Sequence, residues 1–234
     1  MNTEADMDTL RLASTAWLIH DDHSGILVDS GRQTNAVSLL KTINRLKISL
    51  PLIFLTHTHY DHSRGAEAVR RATGAKVIVS SKEAQYLRQG FTPVPKGTNE
   101  ISKVLGKAAH TLGSKTHEQY RPVTEDIIEI EDESSLREYG FDAKVISLGA
   151  HTAGSIGLIL DNCIFVGDTV FSAGNLIYPP FADIPEEIPD AWKKIISSGA
   201  SYICPGHGGK IPMSILERKY HLMYNKKSGT SPLS

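Results

Sequence analysis

Four side chains able to ligate a metal fall within six residues of this chain, in His57-Thr58-His59-Tyr60-Asp61-His62, directly after the apolar run Leu52-Ile53-Phe54-Leu55. A short continuous apolar run reads as a strand buried on both faces, and such strands belong to sheets that are covered on each side. The chain must therefore supply helices or a second sheet to cover this one. Side chains alternate along extended backbone, so His57, His59 and Asp61 point to one side, and His62 joins them where the backbone turns into a following helix. Imidazole nitrogen and carboxylate oxygen both suit zinc and other first-row metals, which makes the cluster a candidate metal site.

Short strands and helical segments alternate around this motif. Thr15 to His20 and Ile26 to Asp29 read as a hairpin, joined by the turn-forming Asp21-Asp22-His23-Ser24-Gly25. Ala36, Leu39, Leu40, Ile43 and Leu46 recur at helical spacing, and Pro51 is expected to end that section. Next come a short helix around 66–72 with Gly74 as its C-cap, a strand over 76–79, and a helix capped by Ser80 or Ser81 and ended by Gly90. The alternation lapses from Phe91 to Glu125, where Pro93, Pro95, Gly97, Gly106, Gly113 and Pro122 leave one modest amphipathic stretch at Ile101, Val104, Leu105 and Ala108. We read a single domain over 1–234 with an inserted segment at about 91–125, either a lid over the site or a solvent-facing excursion.

Strands resume at 127–130, 143–148, 156–160 and 163–166, then a helix near 191–197, a strand at 202–204, a helix near 215–224 and a frayed tail. The two halves share an outline of strands first and helices after, which fits helices covering the outer faces of two packed sheets.

Composition narrows the partners. With 234 residues, 40% hydrophobic and 22% charged, the chain can bury a substantial core. A formal net charge of −1 with dispersed Lys and Arg gives no general attraction to a polyanion, so a small-molecule substrate is expected and nucleic acid is not. Met1 to Leu10 is too polar for a secretory apolar core and no later run is long enough to span a bilayer, so the expected location is cytoplasmic, with no membrane partner. Cys163 and Cys204 read as buried thiols, and His20, His23, His110, His117 and His221 match no motif.

Three further motifs follow in order: Gly149-Ala150-His151-Thr152-Ala153-Gly154-Ser155, Val166-Gly167-Asp168-Thr169 and Pro205-Gly206-His207-Gly208. Each places a His or Asp just after an expected strand, where Gly gives the backbone room to approach closely. The ordered set resembles the metallo-β-lactamase superfamily, in particular its glyoxalase II-like hydrolases, from about Thr15 to Lys210. The resemblance implies a four-layer αββα sandwich with two divalent metal ions at one edge, zinc first, with iron or manganese as alternatives. It assigns His57, His59 and His151 to the first ion, Asp61, His62 and His207 to the second, and Asp168 as the bridge. Asp29, in Val28-Asp29-Ser30-Gly31, matches a position that orients a ligand from behind.

The activity implied is hydrolysis of a small ester, thioester or lactone. Two ions lower the pKa of a shared water from about 15.7 to about 7, giving a bridging hydroxide as nucleophile. Asp61 and Asp168 are then the catalytic carboxylates, with Asp61 also placed to move a proton. Phe171-Ser172-Ala173-Gly174-Asn175-Leu176 lacks the Gly, Cys and Arg of glutathione-binding members, and Phe171 stands where acyl-homoserine lactonases have Tyr, so both substrates are argued against. Arg64, Tyr178 and Lys210 are the candidate substrate contacts: Arg64 and Lys210 for an anion, Tyr178 from the loop after Asp168. Each has an ordinary alternative, a solvent-facing cation or a packed tyrosine. Two other functions share parts of the pattern: a mononuclear iron oxygenase of the persulfide dioxygenase type, and a phosphodiesterase or nuclease, for which no added RNA-binding module is found.

Overall fold

The computed structural model describes residues 6–11, 14–93, 95–100, 102–104, 119–131, 133–174 and 176–224. Ile101, Leu105 and Ala108 of the amphipathic stretch, Gly106, Gly113, His110, His117 and the C-terminal tail lie outside them. Strands β1 (Asp6–Arg11), β2 (Thr15–His20), β3 (Ser24–Val28), β4 (Ser49–Phe54), β5 (Lys76–Ser80) and β6 (Ile127–Ile130) form one sheet in that spatial order. The first three are antiparallel, and β3 to β6 are parallel. The second sheet has the order β12-β11-β10-β9-β8-β7, from β7 (Ser134–Ser135), β8 (Ala143–Ser147), β9 (Ile156–Leu160), β10 (Cys163–Ser172), β11 (Tyr202–Gly208) and β12 (Ile211–Pro212). Only its β10–β11 pair is parallel. The helices are α1 (Gln33–Leu46), α2 (Tyr60–Ser63), α3 (Ala66–Thr73), α4 (Ser81–Gln89), α5 (Ile188–Ile196) and α6 (Met213–Tyr224).

Alternation along the strands divides the apolar residues among three cores. Trp17, Ile26, Val28, Leu52 and Phe54 meet Val145, Leu158, Phe165 and Cys204 between the two sheets. Their sequence neighbours Leu18, Leu27, Ile53 and Leu55 face α1 and α3, packing with Leu39, Ile43 and Val69. In the second sheet Ile164, Val166 and Ile203 face away, towards Trp192 and Ile195 of α5 and Leu216 of α6. Three cores separate four layers, so the architecture is the αββα sandwich. The run 52–55 is continuously apolar because both of its faces are covered.

Two readings change. Pro51 does not end a section but lies inside β4, opposite the register shift between Ser24 and Ile26, the kind of irregularity at which a strand accommodates Pro. The acidic N-terminal segment carries β1, paired with β2 from Asp6↔His20 to Arg11↔Thr15. It is an edge strand, and Asp8 lies 3.7 Å from His20 and 3.8 Å from Arg45, so charge sits where an edge tolerates it. Ser80 is the residue that caps α4, accepting from Lys82 N–H, and Gly74 and Gly90 end α3 and α4 as expected.

Within 91–125, residues 96–98 run beside the Pro179–Ala182 loop, while Tyr120 and Val123 N–H donate to Gly90 O and Leu87 O at the end of α4. Thr98 N–H donates to Pro180 O at 2.9 Å and Ala182 N–H to Lys96 O at 2.8 Å, while Val104 is largely exposed.

Trp17 ties the two sheets together by a polar bond deep between them. Trp17, on the inner face of β2, donates its indole N–H to Pro205 O of β11 at 3.1 Å and sets its ring edge-on to Phe165. Trp17→Phe removes that donor from a buried carbonyl, and the expected cost is about 1 to 3 kcal/mol. Urea unfolding followed by circular dichroism measures it, and an unchanged midpoint would show the bond to be dispensable.

Candidate metal centre

The predicted ligands lie in or after the C-terminal halves of strands, two of them on a short helix. His57 and His59 follow β4, Asp61 and His62 are on α2, His151 is in the β8–β9 loop, and Asp168 and His207 are in the last halves of β10 and β11. The alternation expected over His57, His59 and Asp61 stops at His59. There the chain turns helical, with His62 and Ser63 N–H both donating to His59 O.

The seven side chains converge in three overlapping groups: His57, His59 and His151; His57, His62 and Asp168; and Asp61, His62 and His207. Within each group the ligand atoms lie within 4.8 Å of one another. Asp168 stands between the sets, with Oδ1 3.3 Å from His62 Nε2 and Oδ2 3.3 Å from His207 Nε2 and 3.8 Å from His151 Nε2. This closeness requires glycine at two positions. A Cβ on Gly206 would lie 2.4 Å from Asp168 Oδ1, and one on Gly167 would lie 2.4 Å from Thr56 Oγ1.

The outer nitrogen of three of the imidazoles is held from behind. Asp29 Oδ2 accepts from His62 Nδ1 at 2.8 Å, Phe181 O accepts from His151 Nδ1 at 2.9 Å, and Thr56 Oγ1 lies 3.0 Å from His57 Nδ1. Asp29 itself is fixed by the N–H and hydroxyl of Thr56 and adopts a left-handed φ of 57°. Such second partners set the tautomer and aim the other nitrogen inward. Several polar atoms of the set are buried without a hydrogen bond: His57 Nε2, His59 Nε2, His62 Nε2 and Asp168 Oδ1, the last two 3.3 Å apart, and the neighbouring Thr169 Oγ1. Unpaired buried polar atoms are costly, and facing acceptors of this kind fit a bound cation.

The electrostatics agree with that fit. Burial, then the neighbouring imidazoles, hold His57 well below the usual histidine range, and burial with His151 takes His59 to about 3. Both therefore stay neutral, the state that ligates. Burial pushes Asp61 and Asp168 up, but adjacent His62 and His207 outweigh it, taking Asp61 to about 2 and Asp168 well below its ordinary value. Against the effect of burial, Asp168 and Asp61 raise His62 well above the usual range and His207 to about 10. The field that draws protons onto these two rings equally favours a divalent cation.

The three expected substrate contacts lie in different surroundings. Tyr178 packs its ring 5.8 Å from Trp192 and interacts with Tyr224, in the core beneath α5 and α6. Lys210 sets its ammonium 4.8 Å from the ring of Tyr202, at the opposite end of β11 from His207. Arg64 is half-buried at the end of α2, and its guanidinium makes no hydrogen bond or ion pair among the described residues.

Several residues outside the ligand set border the centre. Phe171 stacks on His207 at 4.9 Å, and the Ser14 hydroxyl bonds to Asp61 O. Thr15 Oγ1 bonds to Gly208 O at 2.8 Å, and Glu83 accepts from Thr58.

The family model described as the metallo-beta-lactamase superfamily matches residues 10–207. A hydroxyacylglutathione hydrolase of Albidiferax ferrireducens is 27% identical over 163 residues, covering 68% of this chain and 48% of that enzyme. The chain thus spans about half the length of that relative. A probable polyketide biosynthesis zinc-dependent hydrolase of Bacillus subtilis, PksB, is 26% identical over 214 residues, covering 89% of this chain and 80% of its own. Among solved structures, the metallo-beta-lactamase superfamily protein ST1585 of Sulfolobus tokodaii superposes with a TM-score of 0.68 at 20% identity, over 94% of this chain and 84% of that one. TTHA1623, solved in a di-iron-bound form, gives 0.66 at 20% identity over 91% and 97%. With the match to the family model running through all four ligand motifs, the chain belongs to the metallo-β-lactamase superfamily.

Proposed function

We propose that this chain is a metal-dependent hydrolase with two divalent ions, zinc first, acting on a small ester, thioester or lactone. His57, His59 and His151 would hold one ion, Asp61, His62 and His207 the other, and Asp168 would lie between them. The observation that carries this reading is the convergence of the seven ligand side chains within 4.8 Å in each group, with buried atoms on His57, His59, His62 and Asp168 that make no hydrogen bond. The names of the two relatives, a hydroxyacylglutathione hydrolase and a zinc-dependent hydrolase, support the reaction class. Bound there, divalent ions supply Lewis acidity and an activated water at neutral pH.

The protein's own groups supply orientation and access. Asp29, Thr56 and Phe181 O fix three imidazoles before substrate arrives, so no reorganisation is needed at the moment of reaction. The side chains of His207, 22% exposed, and Asp61, 15% exposed, form the open side, whereas His62 is fully covered. A substrate therefore approaches past Asp61 and His207, with Phe171 stacked behind the latter. Asp61 Oδ2, 3.3 Å from His207 Nε2 on that side, is placed to pass a proton between solvent and a leaving group.

Among the described residues no helix is long and apolar enough to cross a membrane. Reaction in solution on a small molecule is the accompanying expectation, in a cytoplasmic protein.

Elemental analysis of protein purified without added metal is expected to find about two equivalents of divalent metal per chain, as this class of centre requires. One equivalent of iron would favour the oxygenase reading, and no metal even after reconstitution would exclude the centre. Asp168→Ala removes the carboxylate shared by both sets and is expected to abolish hydrolysis across a panel of an ester, a thioester, a lactone and a phosphodiester. Wild-type activity and metal content in that variant would rule the assignment out. Turnover of the phosphodiester alone by the wild type would replace the carboxylic substrate class with phosphodiesters.

A further inference from the structure

Glu83 takes no part in the ligand set, yet its surroundings connect it to that set. It stands in the first turn of α4, where an acid ordinarily faces solvent and complements the helix dipole, but it is only 2% exposed. Its Oε2 accepts from the backbone N–H of Thr58 at 3.0 Å and from the Thr58 hydroxyl at 2.5 Å. On its other side it fills the space over Gly154, where a Cβ would lie 2.4 Å from Glu83 Cγ and 3.0 Å from Oε1. Thr58 separates His57 from His59, and Gly154 belongs to the loop that carries His151. One carboxylate thus touches both segments that present the first group of three imidazoles.

The network extends outward from there. Thr92 Oγ1 bonds to Thr58 O at 2.7 Å and to Thr58 Oγ1 at 3.0 Å, and pairs with the Tyr120 hydroxyl at 3.0 Å. Ser63 Oγ, one residue beyond His62, donates to Thr58 O at 2.8 Å. With its hydroxyl, N–H and carbonyl all engaged, Thr58 has no freedom to turn unless Glu83 releases it.

We propose that Glu83 is a positioning residue for the first metal site, fixing the separation of the His57–His59 segment from the His151 loop and so setting the affinity of that site. This rests on the metal-centre reading above. Removing the carboxylate leaves the Thr58 N–H buried without an acceptor and opens a gap beside Gly154, whereas Gln keeps both an oxygen acceptor and the volume.

The test is titration of the metal-free protein with Co2+, read by its d–d absorption, for wild type, Glu83→Gln and Glu83→Ala, with the metal-free Tm of each measured by circular dichroism. Wild type is expected to take up two equivalents. Glu83→Ala is expected to bind one of the two equivalents about 10- to 100-fold more weakly, with a changed d–d band, and Glu83→Gln to stay close to wild type. A folded Glu83→Ala with wild-type Co2+ affinity and spectrum would overturn the proposal, even with a lowered metal-free Tm, since the role would then be in the fold alone. If Glu83→Ala does not fold, Thr58→Val decides: one equivalent bound several-fold more weakly supports the proposal, and unchanged affinity for both overturns it. A wild type that takes up no Co2+ would overturn the metal-centre reading and this inference with it.

Discussion

Burial of the imidazoles and carboxylates at one edge of the sandwich is the constraint on which the other features depend. Acceptor atoms facing one another without solvent are tolerable when each side chain is anchored on its outer side and the inner sides share a positive charge. The outer anchors are Asp29, Thr56 and Phe181 O. The left-handed backbone at Asp29 and Ala150, costly for residues with a Cβ, follows from placing those anchors and His151.

The αββα arrangement meets this constraint by delivering strand ends from both sheets to one edge. One sheet contributes the segment after β4, and the other contributes the β8–β9 loop, β10 and β11. The start of β2 then binds the two contributions together: Ser14 bonds to Asp61 O, Thr15 to Gly208 O and Trp17 to Pro205 O. A strand of the first sheet thereby fixes the loop that presents His207 from the second.

Much of this was legible in the sequence, for identifiable physical reasons. The ligands share short motifs with glycine because close approach demands it, and motif spacing survives without any knowledge of distant contacts. The run 52–55 announced its two covered faces by its lack of polar alternation. What was hidden were features determined by tertiary neighbours. Nothing in Asp6 to Arg11 marks an edge strand, since its pairing comes from β2 rather than from its own pattern. Glu83 reads as an ordinary first-turn acid until Thr58 and Gly154 are brought against it. Nor does proximity in sequence to Asp168 and His207 reveal that Tyr178 packs against the outer core and that Lys210 lies over Tyr202 at the far end of β11.

The way the imidazoles are drawn from separate sheets has a mechanical consequence. His59 Nδ1 and His151 Nε2 are 3.0 Å apart, although 92 residues separate them along the chain. An ion gripping both would act as a clasp between the two halves, closing a long loop much as a covalent cross-link does and withdrawing that loop's entropy from the unfolded chain. The same atoms that would prepare the reaction would then also reinforce the edge that Thr15, Trp17 and the Ile156 N–H to Thr56 O bond already hold together.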